Sequence, residues 1–251
     1  MSGAVVCDLD GTLVDSAPGL RFALNQLLAE EGRRHLALAD VIPMIGDGAS
    51  ELVRRGFAAT GAPAKAEELR GLVTRFHDHY GDVAVRLTTP YPRVAETLQR
   101  LRDDGFGLSV CTNKLHRLAK LMLVALGLDG HFDAVIGGGR VAAPKPDPRP
   151  LLAALEGLGA EPGSAVMVGD GRNDVMAARR AGMAVVVVNY GYNGGVPPEH
   201  LGADAFIDDF SELLEVLPRL SLQAGLHQRH YGSEACDKPR PISSICRTCR
   251  A

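Results

Sequence analysis

Short apolar runs rich in β-branched residues recur along the chain, at residues 4–9, 106–111, 134–136, 165–168, 184–188 and 205–207. Between the later ones lie stretches with helical spacing, at 93–102, 115–126, 148–158 and 174–181. Strands alternating with helices of this length predict βαβ units and a mostly parallel sheet. The unbroken Val185-Val186-Val187-Val188 run predicts a strand covered on both faces. Right-handed crossovers then line the carboxyl ends of the strands along one edge, where ligands bind in open α/β sheets.

One interval breaks the alternation. From about Ser16 to Thr89 there is no strong strand, whereas Leu20, Ala23, Leu24, Leu27 and Leu28 follow the spacing of one helix face. Pro18 suits the first turn of that helix and Gly32 its end. Further helical pieces are predicted at 48–59 and 64–80, separated by a turn at Thr60-Gly61-Ala62-Pro63. The expected fold class is therefore α/β: a Rossmann-like parallel sheet core with an inserted helical cap. Residues 1–15 and 90–220 form the core and 16–89 the cap. The two joints, near 14–17 and 88–92, should be adjacent in space and able to act as hinges.

Composition narrows the class only a little. The chain has 251 residues, 46% hydrophobic and 23% charged, with a net charge of −3. A core of useful size is within reach without staples, and nothing suggests attraction to nucleic acid or membrane. No apolar run approaches the roughly 20 residues of a membrane span, and the first residues lack the basic and apolar regions of a secretory signal. Cys7 and Cys111 lie in apolar strand runs beside polar segments, which suits a reducing, cytoplasmic setting.

The last 31 residues differ from the rest. Residues 221–251 hold five Lys/Arg against two Asp/Glu, together with Cys236, Cys246, Cys249, His227 and His230. A single Cys246-x-x-Cys249 with irregular partners is weak support for zinc. The segment is read as a disordered basic tail.

Candidate chemistry sits at the predicted strand ends. Asp8-Leu9-Asp10-Gly11-Thr12 follows the first strand, and two carboxylates at that spacing can face one pocket if the chain curls. Such a pair repels itself unless a cation intervenes or one member is protonated. With Mg²⁺ present, one can remain an ionised nucleophile while the other carries a proton. After the second long strand, Thr112-Asn113 offers a hydroxyl and an amide at a helix N-terminus, suited to phosphate oxygens. Lys145 stands between Pro144 and Pro146 on a stiffened loop, a fixed point charge for a phosphoryl group. Gly169-Asp170-Gly171-Arg172-Asn173-Asp174 ends the fourth strand, with its outer carboxylates placed as a metal ligand and its anchor. Singly, each is an ordinary turn, cap or helix start. Together and in this order at strand ends, they define a site.

On these motifs the chain resembles the haloacid dehalogenase superfamily of Mg²⁺-dependent phosphohydrolases, over roughly residues 3–218. The segments 9–16, 44–49, 169–174 and 189–194 look closer still to bacterial phosphoglycolate phosphatases. The resemblance implies that Asp8 attacks phosphorus and forms an aspartyl-phosphate, with Asp10 protonating the leaving oxygen and later deprotonating water. It implies Mg²⁺ on Asp8, the main-chain carbonyl of Asp10, and Asp170. Thr112, Asn113 and Lys145 would bind the phosphoryl oxygens, and Asp174 would orient Lys145 or a metal-bound water.

The implied substrate is a small phosphate ester, most specifically 2-phosphoglycolate, handled by a monomer or homodimer with no nucleic-acid or membrane partner. Closing the cap would exclude water and select the leaving group. Cap residues 44–48 and the pair Arg54/Arg55 are candidates for touching it. Sugar-phosphate phosphatases, pyrophosphatases and phosphosugar mutases would share the same four motifs. A phospho-accepting signalling domain is half this length and lacks the insertion. Gly137-Gly138-Gly139 lacks the context of a dinucleotide-binding loop.

Overall fold

The computed structural model describes residues 3–220; the basic tail and its cysteines lie outside the described residues. Eight strands occur in them: β1 Ala4–Cys7, β2 Val14–Asp15, β3 Thr89–Pro90, β4 Gly107–Leu115, β5 Ala134–Gly138, β6 Ala165–Gly169, β7 Ala184–Val188 and β8 Ala205–Ile207. The helices are α1 Ala17–Glu30, α2 Leu38–Val41, α3 Ala49–Thr60, α4 Ala66–Val83, α5 Val94–Asp103, α6 His116–Ala125, α7 Arg149–Leu158 and α8 Arg172–Ala181.

Six strands form one sheet in the order β5-β4-β1-β6-β7-β8, and every pairing is parallel. The chain leaves β1 toward β4 and β5, then returns to β6 on its other side. The strand order thus reverses at β1, and a crevice opens at its carboxyl end. Both faces are buried, as the uninterrupted apolar runs require. Val5 and Cys7 face a core shared with Leu98 and Leu101 of α5 and Leu118 and Met122 of α6. Their neighbours Ala4 and Val6 face Leu151 and Leu155 of α7 and Val175 and Ala178 of α8. Strand period two is what sends alternate residues of β1 to the two cores. Each fully buried valine or leucine contributes about 1.5–3 kcal/mol.

The helical interval behaves as its periodicity predicts. Leu20, Ala23, Leu24, Leu27 and Leu28 are all buried in α1, Pro18 occupies its first turn, and Gly32 follows it at φ 66°. This stripe shares a core with Phe57 of α3 and Phe76 and Tyr80 of α4. At Gly56 a Cβ would come within 2.8 Å of Leu24 Cδ1, so a larger residue there would require the Leu24 side chain to shift. Both joints of the insertion lie side by side: β2 pairs antiparallel with β3, Val14 opposite Pro90 and Asp15 opposite Thr89. The pair is too short to show as an alternating pattern, and the four-residue α2 is likewise below the length at which helical spacing is visible.

β4 runs further than the apolar pattern indicates. It continues past Cys111 through Thr112, Asn113 and Lys114 to Leu115, with a register shift against β5 between Cys111 and Leu115. Thr112 and Asn113 therefore sit on the irregular end of a strand, and the helix N-terminus expected there begins only at His116.

Candidate active site

Asp8 follows β1, and its backbone N–H still donates to Val168 O at 2.8 Å, which holds it against the end of β6. Its Oδ1 accepts from Leu9 N at 2.7 Å and faces Lys145 Nζ at 2.9 Å. Gly11 takes φ +84°, and a Cβ there would run into the Asp170 carboxylate, so the turn after Asp10 requires glycine. That turn directs Asp10 away from Asp8's partners. Asp10 Oδ1 accepts from Ser16 Oγ at 2.5 Å and from Lys114 Nζ at 2.8 Å, and Oδ2 from Lys114 Nζ at 3.0 Å.

Lys145 is nearly inaccessible and central. Its Nζ donates to Asp174 Oδ1 at 2.6 Å and to Cys111 O at 2.7 Å, besides facing Asp8. Burial works against the ammonium, but Asp174 and Asp8 override it and hold Lys145 above its ordinary range. Asp174 Oδ2 accepts from Gly171 N at 3.1 Å, tying the start of α8 to the same cluster. Asp170 Oδ2 accepts from Tyr192 N at 2.7 Å.

Asp8, Asp170 and Asp174 bring carboxylate oxygens within 4.8 Å of one another, all buried. Burial pushes Asp8 up to about 6, against the pull of Lys145 and with the push of Asp174. Asp170 is also raised, first by burial and then by Asp174 and Asp8. Three buried carboxylates facing one lysine are short of positive charge. An all-oxygen donor set of this kind fits a hard divalent cation.

The structure brings Asp8, Asp10, Thr112, Lys145, Asp170 and Asp174 to one end of the sheet. Asn113 is there too, but in another relation from the expected one. Its Nδ2 donates to Lys145 O and Gly46 O, both at 3.0 Å, and its Oδ1 accepts from Lys145 N at 2.9 Å. The amide thus clamps the lysine loop and a cap loop together. Asn173 adds to that contact, its Nδ2 donating to Asp47 Oδ1 at 2.7 Å. Between cap and sheet lies a cavity of about 460 Å³, walled by Asp8, Asp10, Thr112, Lys114, His77 and Tyr80 among others. Of the cap candidates, Ile45–Gly48 line it. Arg54 and Arg55 do not: Arg54 is held by Glu51, and Arg55 by Met44 O, Asp47 and Glu51.

Two participants escaped the sequence reading. Lys114, adjacent to the expected Thr112-Asn113 pair, reaches Asp10, and only the tertiary register of β4 reveals this. Tyr192 is the other. Its hydroxyl accepts from Ser16 N at 2.8 Å and Ala17 N at 2.9 Å and donates to Asp15 Oδ1 at 2.9 Å. A segment outside the cap thereby fastens the first joint. Tyr192→Phe is expected to cost about 1–3 kcal/mol, because Ser16 N loses its acceptor in a buried position. The urea midpoint should fall with an unchanged denaturant slope; an unaltered midpoint would show that the tether carries no stability.

A strand-end nucleophile candidate, a buried lysine, an acidic cluster and a helical insertion over the crevice together define a phosphohydrolase. The chain belongs to the haloacid dehalogenase-like hydrolases, whose family model matches residues 3–182, and it is a phosphoric monoester hydrolase. It is 45% identical over 214 residues to a phosphoglycolate phosphatase of Caulobacter vibrioides, covering 85% of this chain and 90% of that one. To a phosphoglycolate phosphatase of Rhodospirillum rubrum it is 44% identical over 218 residues, covering 85% and 90%. The crystal structure of a predicted phosphoglycolate phosphatase from Haemophilus somnus superposes with a TM-score of 0.81 at 32% identity, covering 86% of this chain and 97% of that one. No helix among the described residues is long and apolar enough to cross a membrane.

Proposed function

We propose that this chain is a Mg²⁺-dependent phosphatase that hydrolyses 2-phosphoglycolate to glycolate and phosphate through an aspartyl-phosphate on Asp8. The observation that carries the reading is the division of labour between two aspartates two residues apart. Asp8 faces Lys145 and the acidic cluster, while Asp10 turns toward Ser16, Lys114 and the cap cavity. Asp8, on Lys145 and beside the other two carboxylates, is read as the nucleophile, and Asp10, on Lys114 and Ser16, as the group that serves the leaving oxygen. Relatives named phosphoglycolate phosphatase, 45% and 44% identical, support the substrate.

Asp8, Asp170 and the main-chain carbonyl of Asp10 would hold Mg²⁺, with Asp174 behind them. The cation supplies charge neutralisation and polarisation of the phosphoryl group when bound. The protein's own groups do the rest. Lys145 and Thr112 hold phosphoryl oxygens, where charge develops, and Asn113 and Asp174 keep Lys145 in place. Asp8 Oδ bonds to phosphorus as the ester bond breaks, and Asp10 delivers its proton to the departing alkoxide. Asp10 then takes a proton from the water that cleaves the acyl phosphate, restoring both carboxyl groups. Residues 16–89 act as the cap that keeps bulk water out during these steps.

The metal reading makes a pH-dependent prediction. Asp8 is raised in the folded protein from 3.8 to about 6. Folding therefore draws stability from its protonated form below pH 4 and loses that stability as pH rises through about 6. Mg²⁺ competes with that proton. The rise in Tm on adding Mg²⁺ to metal-free protein should accordingly be larger at pH 7.5 than at pH 5. An equal rise at both would place the cation elsewhere.

The substrate is tested by kcat/KM over a panel of 2-phosphoglycolate, hexose phosphates, nucleotides and pyrophosphate. The proposal expects 2-phosphoglycolate to lead; a sugar phosphate ahead of it by about tenfold, some 1.4 kcal/mol of transition-state binding, would overturn the substrate assignment.

A further inference from the structure

The steps above leave Lys114 without a task, although it is one of the most deliberately placed groups in the cavity. Its side chain is only 5% exposed, its Nζ contacts both oxygens of Asp10, and it lies 4.6 Å from the centroid of the Tyr80 ring. Among the described residues it is also the only lysine or arginine in the cavity wall. Lys145 is not part of that wall and is paired with Asp8 and Asp174, and Arg54 and Arg55 are engaged by their own acidic neighbours. His77 shares the wall, but burial and then the Lys114 and Arg117 charges lower its pKa, so it adds no cation at neutral pH.

The location of that ammonium can be set against the substrate's covalent structure. Asp10 must approach the ester oxygen to protonate it. In 2-phosphoglycolate a single methylene separates that oxygen from the carboxylate carbon. A cation that touches Asp10 from within the cavity is therefore within reach of a carboxylate on the adjacent carbon. A phosphate ester bringing that carboxylate into the cavity without a cationic partner would bear its full desolvation cost. An ester with an uncharged leaving group makes no charge pair with Lys114, which stays on Asp10.

We propose that Lys114 determines specificity: its ammonium is shared between Asp10 and the substrate's carboxylate, selecting phosphate monoesters of alcohols with a carboxylate on the neighbouring carbon. This rests on the phosphatase reading above and assigns its selectivity to a core strand in addition to the cap. Tyr80, from α4 of the cap, completes the site by lying against the ammonium, so the cation is enclosed only where cap and core meet.

The test compares 2-phosphoglycolate with its neutral, similarly shaped amide, 2-phosphoglycolamide, using the full chain with Mg²⁺. Wild type should favour the acid in kcat/KM by about a hundredfold, in line with the value of a desolvated charge pair. Lys114→Met should lower kcat/KM for the acid by about a hundredfold, chiefly through KM, and for the amide by less than about tenfold. The preference then falls from about a hundredfold to less than about tenfold. Lys114→Gln, which keeps a donor for Asp10, should lose the preference too and serves if the methionine variant does not fold. An equal loss on both esters, or a preference that survives in both variants, overturns the role of Lys114. Wild type that turns over a hexose phosphate better than either ester overturns the substrate reading itself, and the assignment of Lys114 with it.

Discussion

Asp8→Asn is expected to lower kcat by at least about ten-thousandfold while the protein remains folded. The amide is the same size as the carboxylate but cannot attack phosphorus or carry it as an acyl phosphate. Stability should change little, for two reasons. Lys145 keeps Asp174 and Cys111 O as partners. The substitution also removes one charge from a buried cluster in which Asp8 and Asp174 raise Asp170. Steady-state assays with Mg²⁺ and a thermal melt decide the matter together. Substantial Mg²⁺-dependent turnover by a folded Asp8→Asn variant would remove Asp8 from the chemistry.

Lys145→Met should damage both activity and stability, which separates it from the first variant. Lys145 is 2% exposed and is the cation between Asp8 and Asp174. Its loss leaves two buried carboxylates facing one another without a cationic partner, a change that costs about 3–5 kcal/mol. That cost should shrink at pH 5, where the orphaned carboxylates can take up protons. Turnover should fall about a thousandfold, since the phosphoryl oxygens lose a preorganised charge. Urea unfolding at pH 7.5 and pH 5, with and without Mg²⁺, measures the stability part. A variant as stable as wild type at pH 7.5 would mean that the acidic cluster is neutralised by something other than Lys145.

Much of this arrangement is legible in the sequence because it rests on local periodicity. The buried strands announce themselves by unbroken β-branched runs, and α1 by Leu20, Leu24, Leu27 and Leu28. Asp8, Asp10, Asp170 and Lys145 are legible because each stands within three residues of the end of an apolar run or between prolines. What escapes is whatever depends on two distant segments meeting. β4 continues beyond Cys111 through polar residues that no strand pattern includes, so Thr112 and Asn113 read as a helix start. The bridge that the Asn113 amide makes between Lys145 and Gly46 has no local signature either. Arg54 and Arg55 look like anion partners until Glu51 and Asp47 are found beside them. Lys114 carries no spacing signal, and Tyr192 stands out only as part of segment 189–194; their partners are 104 and 177 residues away.

In the proposed mechanism one carboxyl group, Asp10, serves two steps. Ser16 and Lys114 fix it from the hinge and from β4, so its position depends on both the first joint of the cap and the core sheet. Movement at β2 and β3 would thereby couple opening of the cavity to the geometry of the proton carrier.

The central claim, covalent catalysis by Asp8, is tested most directly in an Asp10→Asn variant given 4-nitrophenyl phosphate and Mg²⁺. Nitrophenolate departs without a proton from the enzyme, so the first step should proceed; the second, which needs a base for water, should stall. A burst of nitrophenolate equal to the enzyme present, with the phosphoryl group found on Asp8 after acid quench and peptide mass analysis, is the predicted result. Steady release without a burst, or a phosphoryl group on another residue, would contradict the account.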